Sequence, residues 1–262
     1  LQFHGLAGIG IGKREKHMTD RLRIALQPTD DEISQKKLSS NANSAAELLP
    51  KGGALLDVGC GEGKFTRAMT GMYDKVTGID VKQNSIEKAK AANAAEGKDV
   101  DFQVADAEAM PFADASFDTV VISNSLHHIP DPHKGLAEAA RVLKPGGHLY
   151  VMEPVASGHY HEATKVVNDE TEVRREAYKA LLELLDIGFS EETEMMYRTR
   201  RLFDSFEEFR ELQFDRDEKR RAKFDADPEG VRNRFMSHAD NKDEGKLGFD
   251  QVFRVNMLRK DA

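Results

Sequence analysis

The chain has 262 residues, 39% hydrophobic and 32% charged, enough apolar material for one large core under a heavily charged surface. With 38 basic and 46 acidic residues the net charge is −8, which argues against a general nucleic-acid binder, because that role needs a basic footprint. The lone cysteine, Cys60, excludes an internal disulfide and fits a reducing, cytoplasmic compartment, and no apolar run reaches the ~20 residues of a membrane-spanning helix.

Residues 1–18, LQFHGLAGIGIGKREKHM, show no clear period and lack the basic-then-apolar pattern of a signal peptide. They read as a disordered arm, or as an expression remnant ahead of a native start at Met18. Residues 19–262 read as a single domain. A helix is expected over 30–49, ended by Pro50 and the Gly52-Gly53 pair. ALLDV (54–58) is a short apolar run suited to a buried strand, and KFTRAMTGM after it is helical in pattern. KVTGID (75–80) is a second strand, 81–95 a helix, VDFQVAD (100–106) a third strand and FDTVVISNS (117–125) a fourth. A helix over 132–144 stops at Pro145-Gly146-Gly147, and HLYVMEP (148–154) is a fifth strand. Strands alternating with helices predict an α/β fold with a parallel, doubly wound sheet and right-handed crossovers. Then the pattern changes. Residues 170–188 form an amphipathic helix, EMMYRTRRLF (194–203) a strand, the charge-dense 204–246 helices, and FDQVFRVNML (249–258) a final strand.

LLDVGCGEGKF (55–65) places Gly59, Gly61 and Gly63 directly after a strand, where a backbone passes close to a ligand. A triphosphate loop needs a Ser or Thr after its Gly-Lys, and Phe65 stands there. A dinucleotide loop needs a third glycine where Lys64 falls, which weakens that reading without excluding it. S-adenosylmethionine fits better. Asp57 stands before the turn, near where an ammonium would lie. Asp80 ends the second strand, where ribose hydroxyls need an acceptor, and Asp106 follows the third, where an adenine amino group needs one.

With LLDVGCGEG (55–63), VTGID (76–80), VADAEAMPFADASFD (104–118), SNSLHHIPDP (123–132) and RVLKPGGHLYVMEP (141–154) in order, the chain resembles the class I S-adenosylmethionine-dependent methyltransferases. It is most similar to their ubiquinone/menaquinone C-methyltransferase and small-molecule branch. The resemblance implies a Rossmann-like doubly wound seven-stranded sheet, mostly parallel, with an antiparallel last strand inserted between the fifth and sixth, plus helical additions. It implies a cofactor-binding half at 54–154. There Asp57, Gly59 and Gly61 hold the methionine moiety, Asp80 the ribose, Val81 packs on adenine, and Asp106 and Ala107 meet the adenine edge. Asn124 and Ser125 lie beside the sulfonium, and Cys60 is a small filler in the loop. The expected product is S-adenosylhomocysteine and the expected partner a small-molecule acceptor, with no nucleic acid. A nucleic-acid or protein methyltransferase, or a non-catalytic binding module on the same fold, is the alternative.

Methyl transfer needs a base only when the acceptor must lose a proton. The candidates are His127, His128 and Glu153. Magnesium-dependent relatives carry an Asp at the fourth-strand end and an Asp-Asn pair after the fifth. Here Ser123-Asn124 and Glu153-Pro154 stand instead, so no metal is expected. Residues 155–170, with HYHE at 159–162 and Tyr160 facing inward, and residues 204–246 are the expected lid and acceptor segments. Phe203, Phe206 and Phe209 either wall an acceptor pocket or pack the core of the added helices.

Overall fold

A computed structural model describes residues 28, 31, 33, 41–214 and 218–262. The arm at 1–18 and most of the expected helix before Asn41 fall outside the described residues; what is described of that helix is α1, Asn41–Leu48.

The apolar runs of the first half become the centre of a sheet. Its strands are β1 Ala54–Val58, β2 Lys75–Asp80, β3 Asp101–Val104, β4 Phe117–Ser123, β5 Leu143–Pro154, β6 Phe189–Phe203 and β7 Leu247–Lys260, in the spatial order β3-β2-β1-β4-β5-β7-β6. β1 lies between β2 and β4, parallel to both, so both its faces are covered and its sequence need not alternate. Helices α2 (Lys64–Ala68), α3 (Gln83–Ala95) and α4 (Pro132–Val142) cross between these strands. On one face Leu56, Val58, Val120, Ile122 and Val151 pack with Leu136 of α4 and with Tyr178 and Leu181 of α6 (Thr171–Glu183). On the other, Leu55, Val76, Val121, Tyr150 and Met152 pack with Ile86 and Ala89 of α3. The period-two switch along each strand feeds the two cores.

β7 runs antiparallel between β5 and β6, as the resemblance implies. Two strands start well before the sequence reading places them. α4 ends at Val142 and β5 begins at Leu143, so Pro145-Gly146-Gly147 lies within a strand rather than at a helix end. β6 begins at Phe189, five residues before the expected start. Its first turn of chain, SEETE, is polar because β6 is the sheet edge, where charge also discourages pairing with another chain.

Between β6 and β7 lie α7 (Phe206–Phe214), α8 (Glu218–Ala226) and α9 (Pro228–His238). Asp227 caps α9 by accepting from the Gly230 N–H at 2.9 Å, with Pro228 in the first turn. These helices share a third core with α5 (His159–Thr164). Phe203, Phe206, Phe209, Phe224, Phe235 and Phe249 interlock with Tyr160, Ala163 and Val167. The Phe209 and Phe235 rings stack at 4.3 Å. Of the two readings offered for Phe203, Phe206 and Phe209, core packing is the one observed. Arg234 closes the same contact from outside, bonding the Glu162 carboxylate and carbonyl, each at 2.7 Å.

Candidate active site

The chain reverses direction across the sheet between β1 and β4, and ligands in open α/β sheets bind outside the strand carboxyl ends at such a switch point. A cavity of about 1110 Å³ opens there, lined by Gly59, Gly61, Asp80, Asp106, Asn124 and Ser125 among others. Single drug-sized ligands occupy roughly 300–1,000 Å³, so there is space for two ligands together.

The glycine loop is built by close approach. Gly59 has φ 73°, and a Cβ there would lie 2.4 Å from the Ser125 Cβ. The Ser125 hydroxyl in turn donates to the Val58 carbonyl at 2.7 Å, joining the β1 and β4 ends. Gly61 has φ 54°, and among the described residues nothing stands within 4 Å of where its Cβ would be, so its backbone faces the cavity side. Asp80 fastens this loop: one carboxylate oxygen accepts from the Gly61 N–H, the other from the Lys82 N–H, both at 2.9 Å. Lone pairs remain on both oxygens for a diol. Val81 stands 67% exposed at the cavity rim, an apolar surface for a flat ring. Ala107 and Asp106 line the wall beside it, and Asp106 accepts from the Glu108 N–H at 2.8 Å.

Asp57 and Cys60 do not line the cavity. Asp57 is buried under the loop, where Thr66 donates to it at 2.6 Å. Burial pushes its carboxyl up to about 7 against the lowering effect of the Thr66 hydroxyl, and the Asp80 charge adds to the rise. Burial also pushes the Cys60 thiol up, with the Asp57 and Asp80 charges adding to it, so it is a poor nucleophile.

The expected bases gather at the same cavity. His127 and His128 sit in the short turn after β4, and Glu153 at the end of β5. Glu153 is 2% exposed; one oxygen accepts from the Leu126 N–H at 2.8 Å and the other meets His127 Nδ1 in a short contact. Opposite an ionised Glu153, Nδ1 is the donor of this pair. Nε2 lies 3.8 Å from a Glu170 oxygen, among the cavity-lining groups. This is the base-and-orienter arrangement of acid–base catalysis. His128 differs: burial, then repulsion from His127, bring it down to about 4, so it is a weak base at neutral pH.

The rest of this wall did not stand out in the sequence. Glu170, Arg174, Arg201, Gln213 and Arg220 all line the cavity. Glu170 makes a short ion pair with Arg174 and lies 3.6 Å from Arg220. Burial opposes ionisation of Glu170, but Arg174, Asn168 and the two histidines outweigh it and hold the group down to about 2. Glu170 and Arg174 are four apart on a helix, a spacing that by itself reads as a surface pair. His127, His128 and Glu170 bring one ligand atom each within 4.8 Å of one another. Two guanidiniums already offset the Glu170 charge, which disfavours a cation there. Tyr160 faces the cavity as expected.

A seven-stranded sheet of this order, with a glycine loop at the switch point and an acid at the end of β2, defines a class I, Rossmann-like methyltransferase fold. Residues 56–151 match the family described as "Methyltransferase domain". The 27-O-demethylrifamycin SV methyltransferase of Amycolatopsis mediterranei is 40% identical over 130 residues, 46% of this chain and 48% of that protein. The ubiquinone biosynthesis O-methyltransferase of Thiobacillus denitrificans is 38% identical over 100 residues, 38% and 43% of the two chains. The chain spans about half the length of the curated relatives it matches. Among solved structures, the YcgJ protein from Bacillus subtilis superposes with a TM-score of 0.57 at 19% identity, covering 84% of this chain and 96% of that one, which shows the shared fold. No described helix is long and apolar enough to cross a membrane.

Proposed function

We propose that the chain methylates an oxygen of a small-molecule acceptor, with S-adenosylmethionine as donor and His127 as general base. The observation that carries this reading is the His127–Glu153 pair at the cavity wall. When bound, the donor supplies an activated methyl carbon, whose bond to sulfur breaks as the new bond to the acceptor oxygen forms. The chain's own part is to hold, align and deprotonate. Asp80 takes the ribose hydroxyls, Val81 covers the adenine, and Asp106 and Ala107 meet its edge. Gly59 and Gly61 let the methionine moiety approach the backbone, with Asp57 buried beneath the loop on its Thr66 hydrogen bond, and Asn124 and Ser125 stand beside the reacting carbon. Cys60 fills the loop. His127 Nε2 takes the acceptor proton, and Glu153 steadies the imidazolium that results. Alignment alone contributes roughly 7–11 kcal/mol to such a reaction.

Residues 19–262 act as one domain in this reading, with 155–170 and 204–246 as the lid and acceptor segments. Tyr160, Glu170, Gln213 and Arg220 on the cavity wall support it. The single cysteine favours a cytoplasmic setting, and the acidic balance favours a metabolite over nucleic acid. Calorimetry with S-adenosylmethionine, followed by transfer of a labelled methyl group to a panel of phenols, alcohols, amines and acids, tests the proposal. Absence of donor binding, or label arriving only on carbon or nitrogen, sinks it. Turnover is expected to survive EDTA; loss restored by a divalent cation would instead make His127, His128 and Glu170 metal ligands.

A further inference from the structure

We propose that the acceptor carries a carboxylate, held by Arg201 together with the Tyr160 hydroxyl and the Gln213 amide. The inference rests on the methyl-transfer reading for what the carboxylate belongs to, but not for where it binds. The wall contributed by residues after β5 carries three guanidiniums, Arg174, Arg201 and Arg220, against one carboxylate, Glu170. Arg174 and Arg220 are both engaged with that carboxylate. Arg201 is not, and it makes no ion pair with any described residue. Its neighbour in β6 shows the contrast: Arg200, on the opposite face of the strand, bonds Asp240, Asp243 and Asp250. One arginine is saturated with carboxylates, and the next has none among the described residues and faces the cavity.

The Arg201 guanidinium lies 5.2 Å from the Tyr160 ring centroid and 5.9 Å from that of Phe203. Aromatic faces hold the plane of the fork and leave its N–H edge for a bidentate acceptor. Two further groups await an acceptor on the same wall. The Tyr160 hydroxyl is buried with no hydrogen-bond partner among the described residues. Gln213 is 1% exposed; its Oε1 accepts from Arg220 at 2.7 Å, which fixes the amide so that Nε2 is the donor, and Nε2 has no partner among the described residues. Buried polar groups in folded proteins are nearly always satisfied. Two orphaned groups and an unpaired cation on one cavity wall therefore describe a site for an oxygen-rich anion. One unpaired guanidinium with neutral helpers balances a single charge, which selects a carboxylate over a dianionic phosphate.

The test titrates the full chain, saturated with S-adenosylhomocysteine, with benzoate, benzamide and phenyl phosphate in wild type, R201Q and R201K. Benzoate is expected to bind about tenfold or more tightly than benzamide, as one charge-assisted contact allows. R201Q should erase that preference, R201K should keep part of it, and both should bind S-adenosylhomocysteine as wild type does. Equal binding of benzoate and benzamide, no benzoate binding at millimolar concentration, or an undiminished preference in R201Q overturns the proposal. Phenyl phosphate binding more tightly than benzoate overturns the carboxylate assignment. Repeating the titration without S-adenosylhomocysteine separates the two readings. If the chain takes no S-adenosylhomocysteine yet shows an Arg201-dependent preference for benzoate, methyl transfer falls and the anion site stands.

Discussion

The two walls of the cavity are made in different ways. The wall from β1 to β5 places its polar groups at or just past the carboxyl end of a strand: the glycine loop after β1, Asp80 ending β2, Asp106 after β3, Asn124 and Ser125 after β4, with Glu153 of β5 behind His127. Local sequence and the switch-point rule position them together. The other wall takes Glu170 from the head of α6, Arg201 from the end of β6, Gln213 from α7 and Arg220 from α8. No strand-end rule governs these. They are held where they are by the aromatic core of Phe203, Phe206, Phe209, Phe224, Phe235 and Phe249 against Tyr160. A ligand shared across a family can be served by a local rule, and one particular to this chain needs packing that is particular too.

His127 sits at the seam between the walls, touching Glu153 on one side and Glu170 on the other. The largest effect should therefore come from His127→Ala. Turnover is expected to fall by about 10²–10⁴, with donor affinity unchanged in calorimetry. Equal losses of donor affinity and turnover would move His127 into the donor wall.

Next in size is Phe209→Ala. Removing a fully buried ring typically costs about 3–5 kcal/mol. Because Phe209 lies in the third core and not in the two that flank the sheet, hydrogen exchange should accelerate in α7–α9 and α5 first. Donor binding should persist. Uniform acceleration across β1–β5 would show that the two halves unfold as one.

Asp80→Ala should weaken donor binding by about 10–100-fold, the loss of one charge-assisted contact of ~1.5–3 kcal/mol. It also releases the Gly61 N–H, so a fast-exchanging glycine loop should accompany the loss. A donor affinity equal to wild type would mean that the loop alone defines this wall.

The smallest effect is a pH slope. The Asp57 carboxyl is raised by burial to about 7 in the folded chain, so the folded state holds this proton more tightly than the unfolded one. Its contribution to stability is fully present below the unfolded value near 3.8 and is lost as pH rises through about 7. Burial draws His128 and His161 down to about 4, giving slopes of the opposite sign between there and 6.5. Comparison with Asp57→Asn isolates the Asp57 part: wild type should lose stability relative to the variant between pH 4 and about 7 in thermal melts. Parallel curves would place Asp57 at an ordinary carboxylate value.

Much of the fold was legible because its causes are local. Apolar runs gave the central strands, since parallel strands covered on both faces need no alternation. The helix read from residue 132 does start there, where Asp131 caps α4 by accepting from the His133 and Lys134 N–H groups. The β6 start was missed because an edge strand tolerates SEETE, which has no apolar period. Pro145-Gly146-Gly147 was read as punctuation because Pro and Gly ordinarily end elements; here they fall in the register break between the Phe117–Leu143 and Thr119–His148 pairs, where neither β4 nor β7 pairs with them.

The sequence by itself determined the strand-end wall: Gly59, where a side chain would meet Ser125, Gly61 at positive φ, and acids at consecutive strand ends. The helices between the last two strands were also legible, because the pairing of charges three and four apart is a local signal. Only the tertiary structure decided that Glu170 and Arg174, an ordinary i,i+4 pair on paper, face His127, and that Arg200 and Arg201 part company. The physical reason is range. Caps, turns and strand periods act over a few residues, whereas Glu170 meets His127 at 43 positions' remove (170 − 127 = 43), and Gln213 reaches the cavity only after the phenylalanines of three helices and two strands have packed.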